Sequence, residues 1–211
     1  MTAFFYALSW LSATEIRRYS GAVAVNTSTV IAQVALIALS GGSLTLLSDT
    51  IHLLSDNIAA IGSLSVAILA TMVTREKENL IRRAFAIGGV LLLFSGAYHI
   101  LGESVERMAN PVNIASGWVL AGGVVGIFGS AVVYAVLHWS DPEKNSTHVV
   151  FSWHTIFDFL FSAIVVLSAS GALAFGIQGI DAWMSHKLSL FMFVLSGFLL
   201  GTILKGHHHE H

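Results

Sequence analysis

Long apolar runs alternate along this chain with short polar stretches. A membrane-spanning helix needs about 20 mostly apolar residues, and six segments come near that length: 21–39, 44–73, 84–101, 118–137, 149–175 and 188–204. The pattern predicts an all-α, polytopic membrane protein with six transmembrane helices. Ser40-Gly41-Gly42-Ser43 predicts a tight turn between the first two, because glycine accepts the backbone angles a sharp reversal needs. Both prolines, Pro111 and Pro142, fall between apolar runs, where they interrupt no spanning helix. Residues 1–13 are apolar and aromatic, and Arg17 and Arg18 follow them rather than precede them, which is not the order of a cleaved signal peptide. Residues 1–18 are read as an interfacial helix, with an extension of the first span as the alternative.

The polar residues inside these runs carry the chemistry. On a helix at about 100° per residue, Asp49, His52 and Asp56 stand at i, i+3 and i+7 and share a face of the second segment. A second pair, His154 and Asp158, repeats the His-x-x-x-Asp spacing in the fifth. Asp56 has about 12 residues of apolar helix before it, well inside a hydrocarbon core about 30 Å thick. A charge there costs at least about 2.5 kcal/mol on insertion scales, so four ionisable groups in two matched pairs point to function. Two imidazoles and two carboxylates suit a tetrahedral zinc ion, and the same donors also hold cobalt, nickel or copper. With both aspartates ionised and both histidines neutral, their charge of −2 cancels that of a divalent cation. Protons compete with metal for the same four groups, which is the physical basis of an exchange cycle. Asp49, on the same face nearer the helix start, is an accessory position that either relays metal or protons or accepts a hydrogen bond.

Composition supports the membrane reading: 55% of residues are hydrophobic and 10% charged, against about 25% charged in soluble domains. The absence of cysteine excludes disulfides and thiolate metal sites. No basic block argues for nucleic acid. Arg17, Arg18, Arg75, Lys77, Arg82, Arg83, Lys144 and Lys205 share one side of the six-helix arrangement, whereas Arg107 and Lys187 lie on the other. By the positive-inside rule this places both termini in the cytoplasm. Three helices per half is compatible with a 3+3 inverted arrangement, which makes the second and fifth helices equivalent and antiparallel, with His52 level with Asp158 and Asp56 level with His154.

Other features have plainer readings. Gly122, Gly123, Gly126, Gly129 and Ser130 in the fourth segment, and Ser196, Gly197 and Gly201 in the sixth, are expected to let helix backbones approach closely. Asn26 and Gln33 are expected to hydrogen-bond between helices. His99 and Glu103 are read as a local i, i+4 pair, with a release-side metal contact behind that reading. His138, Asp141, Glu143 and His148 crowd a connection read as a solvated loop. The ending 206–211, four histidines and a glutamate after Gly206, is a metal-collecting tail by composition, or an expression remnant.

Together these residues resemble the cation diffusion facilitator family. The resemblance rests on Asn26, on Gly42-Ser43-Leu44-x-x-Leu47-x-Asp49-x-x-His52-x-x-x-Asp56, on Glu103 with Arg107 and Asn110-Pro111, and on His154-x-x-x-Asp158. It implies that His52, Asp56, His154 and Asp158 are the intramembrane zinc ligands and that the cycle is alternating access driven by inward proton movement. His at position 52 resembles the zinc-preferring members. Members usually continue into a soluble metal-binding domain, whereas here a few residues follow Leu204. The connection before the sixth segment has Asp181 but lacks the Asp-Pro often seen there.

The sequence therefore predicts a transmembrane transport domain over 1–205, a His-rich tail over 206–211 and no C-terminal soluble domain. The expected function is zinc efflux by proton antiport across a bacterial inner membrane, with H+ as counter-ion, no resident cofactor, no nucleic acid partner and a homodimer formed through the membrane helices. The alternatives are an exporter of cadmium, cobalt, manganese or iron, and a non-transporting metal-binding partner of another membrane protein. A membrane metalloenzyme is disfavoured because His-Glu-x-x-His is absent, and no nucleotide-binding motif is present.

Overall fold

A computed structural model describes the backbone of residues 2–69, 72, 74–138, 146–177 and 179–205, with the side chains of 2–15, 138, 146–156 and 205 outside the description. Six helices follow in order: α1 Thr2–Ser40, α2 Leu44–Leu69, α3 Arg75–Ala109, α4 Ser116–His138, α5 Ser146–Phe175 and α6 Ile180–Lys205. Each contains a stretch long and apolar enough to cross a membrane. Most outrun their apolar segments. At 39 residues, α1 is about 58 Å long, nearly twice the hydrocarbon thickness, so only part of it can span. The first turns of α3 are rich in Arg, Glu and Lys, good helix formers that carry the helix into the polar region.

Among the described residues α2 is the one helix that touches all five others, and it is the most deeply buried. It lies along α1 and α3 and also meets α4, α5 and α6, while α4 packs on α5, α1 on α4, and α3 on α6. The α1–α4 and α3–α6 contacts join elements that an inverted repeat makes equivalent. The repeat is partial in packing, since α2 lies along α3 while α5 meets α6 only lightly. Large apolar side chains such as Ile31, Phe128, Val194 and Phe198 are exposed on the outside of the bundle, the expected arrangement where lipid replaces water.

Close approach depends on α4. A side chain at Gly122 would meet Leu46 at 2.5 Å, and one at Gly129 would overlap Thr29. The sixth helix differs from expectation: Gly197 and Gly201 have open space where a side chain would be, so only Ser196 of that group is buried. The helical spacing turns the two glycines outward.

The α1–α2 reversal is made by Gly41 and Gly42, at φ of 83° and 85°, a left-handed region that glycine enters without a Cβ penalty. Arg107 at the end of α3 holds it, donating from Nη1 to the Gly42 carbonyl at 2.6 Å and from Nε to Glu103 at 3.0 Å. Glu103 thus takes Arg107 rather than the exposed His99 as its i, i+4 partner, because the guanidinium bridges the carboxylate and the turn. Residues 139–145, with Asp141 and Glu143, and the 206–211 tail lie outside the described residues, as do the side chains of His138 and His148.

Candidate metal centre

On α2, His52 and Asp56 stand one helical turn apart, and their side chains meet Asp158 of α5. His52 Nδ1 lies 3.4 Å from Asp56 Oδ2, and His52 Nε2 lies 3.6 Å from Asp158 Oδ1. One donor atom from each of the three residues falls within 4.8 Å of the others, and no other such group of three occurs among the described residues. These separations exceed the usual N–H···O range. The two carboxylates face opposite nitrogens of the one imidazole, and a single ion takes only one of those nitrogens, so the cluster brings the three residues together without presenting a tetrahedral donor set. The imidazole is held in place by Phe161, whose ring meets it at 4.3 Å and an interplanar angle of 66°. Among the described residues Asp158 Oδ1 has no hydrogen-bond partner.

Burial is graded across the three. His52 is 1% exposed and the Asp158 side chain 9%, whereas the Asp56 side chain reaches 18%. Asp56 is thus the most accessible of the three and the one nearest the end of α2 at Leu69. His154 is on α5 one turn before Asp158, and its side chain lies outside the described residues.

Asp49 is separated from the cluster. Its carboxylate is fully buried and accepts hydrogen bonds from Gln33 Nε2 of α1 at 2.7 Å and from Ser162 Oγ of α5 at 3.0 and 3.1 Å. Gln33 also donates to the Gly122 carbonyl at 3.4 Å and accepts from Thr50 at 3.0 Å. Of the two readings open for Asp49, hydrogen-bond acceptor is the one the geometry supplies, because its oxygens face α1 and α5. This layer joins α1, α2, α4 and α5 on the side of the centre nearer the Gly41-Gly42 turn. Gln33 is the interhelical partner expected of it. Asn26 is buried, and its neighbour Thr27 accepts from Asn57 of α2 at 3.0 Å.

Sequence reasoning passed over Ser162. The signal was available: on antiparallel helices, Asp49 is one turn before His52 and Ser162 one turn after Asp158, so the two fall level once His52 and Asp158 are level. Asp181, noted only for the proline missing after it, is buried.

The ion preference of this donor set is expected to depend on His52. His52→Asp replaces a neutral nitrogen with a third carboxylate, which favours oxygen-preferring ions. Zinc affinity is expected to fall by at least the roughly 10-fold that even outer-shell changes cost, and manganese and cadmium to rise in rank in competition binding. An unchanged metal order would show that position 52 does not set the preference.

A family model described as the cation efflux transmembrane domain matches residues 21–204. The chain is 31% identical over 144 residues to a protein of Bacillus subtilis (strain 168) named cadmium, cobalt and zinc/H(+)-K(+) antiporter, covering 64% of this chain and 45% of that one. It is 28% identical over 158 residues to the zinc transporter ZitB of Escherichia coli (strain K12), covering 71% of this chain and 49% of the relative. To the cation efflux system protein CzcD of Alcaligenes sp. (strain CT14) it is 25% identical over 167 residues, 77% of this chain and 52% of that protein. The chain thus spans about half the length of these curated relatives. With the family model running from the second half of α1 to the end of α6, and His52, Asp56 and Asp158 converging at the centre of the bundle, this chain belongs to the cation diffusion facilitator family of cation efflux proteins.

Proposed function

We propose that the chain carries divalent metal cations, zinc foremost, out of the cytoplasm in exchange for protons. The observation that carries this reading is the convergence of His52, Asp56 and Asp158 inside an apolar bundle, with one donor atom of each within 4.8 Å of the others. His154, one turn from Asp158, is proposed as the fourth ligand. An ion held by two carboxylates and two neutral imidazoles adds no net charge to the low-dielectric core. Protons neutralise the same carboxylates and charge the same imidazoles, so metal and protons occupy the site in alternation. The distribution of Lys and Arg supports cytoplasmic termini in an inner membrane. In that orientation Asp56, the most accessible of the three, lies on the cytoplasmic side of the cluster and the Asp49 layer on the outer side, the order expected of a site loaded from within. The relative named for cadmium and cobalt as well as zinc favours a second reading, in which those ions share the route.

The test is flux in vesicles holding the purified chain in one orientation. Acidifying the outside is expected to speed release of internal zinc, since protons displace metal from the outward-facing site. Collapsing the proton gradient, with metal and potential held constant, should stop release against a zinc gradient. Concentrative release that continues unchanged would rule out proton coupling.

A further inference from the structure

The first turn of α2 is buried and lacks an acidic residue of its own, yet a helix start leaves several backbone N–H groups that need acceptors. All of them are accounted for. Ser43 N–H donates to Ser40 Oγ at 3.2 Å, and Leu46 N–H to Ser43 Oγ at 3.2 Å. The other two are met from the far end of the sequence: Leu44 N–H donates to Asp181 Oδ2 at 2.8 Å and Thr45 N–H to Asp181 Oδ1 at 3.2 Å. Ser43 Oγ donates to the same carboxylate at 2.5 Å, and Thr45 Oγ1 donates to the Asp181 carbonyl at 2.9 Å. Asp181 itself lies in the first turn of α6. One carboxylate therefore sits between the N-termini of two helices running in the same direction, where both dipoles favour negative charge.

We propose that Asp181 is a positioning residue for metal transport, supplying from α6 the N-terminal cap that sets the height and rotation of α2. The proposal rests on the transport reading above. His52 is eight residues beyond Leu44, about 12 Å along the axis, and no glycine or proline interrupts α2 before Gly62. A rigid helix passes its setting at the cap directly to its ligands, and slippage by one residue turns His52 through about 100°. Arg107 holds the preceding carbonyl of Gly42 at 2.6 Å, so the segment entering α2 is fixed on both sides. The α6 contact thereby ties the ligand-bearing helix to the α3–α6 pair.

The experiment compares wild type, Asp181→Ala and Asp181→Asn as the full chain, measuring backbone hydrogen exchange, equilibrium zinc binding by the folded fraction, and zinc flux in vesicles. Loss of a cap predicts a weakening of zinc binding of roughly 2- to 30-fold for Asp181→Ala. Flux is expected to fall at least as far and exchange at Leu44 and Thr45 to accelerate. Asp181→Asn keeps an acceptor and should lie between. Should Asp181→Ala fail to fold, the same intermediate behaviour in Asp181→Asn and in Ser43→Ala supports the proposal. Wild-type zinc affinity and flux per folded molecule in the variants would overturn it, including where only thermal stability falls. If wild type neither binds nor moves zinc, the transport reading fails by itself. Exchange then still decides whether Asp181 holds α2: unchanged protection of Leu44 and Thr45 in Asp181→Ala overturns that too.

Discussion

Asp158→Ala and Asp56→Ala are each expected to abolish zinc transport while leaving a folded six-helix protein. On the proposed four-ligand site, each change removes one donor and one of the two negative charges that would neutralise the ion, so the loaded site would carry an uncompensated charge inside the bundle. Breaking a buried ion pair by removing one partner costs about 3–5 kcal/mol, more than roughly 100-fold in occupancy. Asp158 is the more demanding test, because its side chain is 9% exposed against 18% for Asp56 and water can compensate less. Folding should survive, since the side chains that Asp158 meets are themselves members of the cluster, His52 and Asp56, rather than groups that hold the helices together. Vesicle flux and equilibrium zinc binding measure the effect, with the thermal midpoint as control. Normal flux in either variant would remove the residue from the ion's path.

The contrast with Asp49 shows why the clustering of His52 with Asp56 and Asp158 was legible in the sequence and its surroundings were not. Charges at helical spacing in an apolar run can be read from residue order alone, and the antiparallel inference put His52 beside Asp158. Asp49 shares that spacing, being i−3 from His52, yet its partners are Gln33 and Ser162. A residue one turn along the same face meets a different layer of the bundle, and what that layer contains depends on how α1, α4 and α5 pack. Periodicity within one helix carries no such information. Apolar length located the six spans but not the helix ends, because Arg75, Glu76 and Lys77 favour helix whether or not lipid surrounds them. Asp181 was hidden for a different reason. A cap donated by α6 to α2 spans 136 to 138 residues of sequence, and the first turn of α2 reads from its own residues as merely lacking an acid.

Small residues divide by the same logic, and Gly126 gives the sharpest test. A Cβ there would overlap Ser162 Oγ and lie 2.8 Å from both Asp49 Oδ2 and Gln33 Nε2. All three belong to one buried hydrogen-bonded layer, so none can turn away without losing a partner. An unsatisfied buried polar group costs about 1–3 kcal/mol, more when charged, and Asp49 depends on both Gln33 and Ser162 at once. Gly126→Ala is therefore expected to lower stability by about 2–4 kcal/mol and to reduce zinc flux severely, because displacing Ser162 also moves Asp158 one turn away on α5. Gly197→Ala is the matched control, since a side chain there meets open space and should alter neither. A second variant separates clash from chemistry: Ser162→Ala removes the overlapped hydroxyl and, combined with Gly126→Ala, should recover part of the lost stability even though Asp49 loses one donor. Thermal midpoints and flux of the two single variants and the double variant make the comparison. Gly126→Ala with wild-type midpoint and flux would show that the polar layer yields freely and does not brace the metal centre.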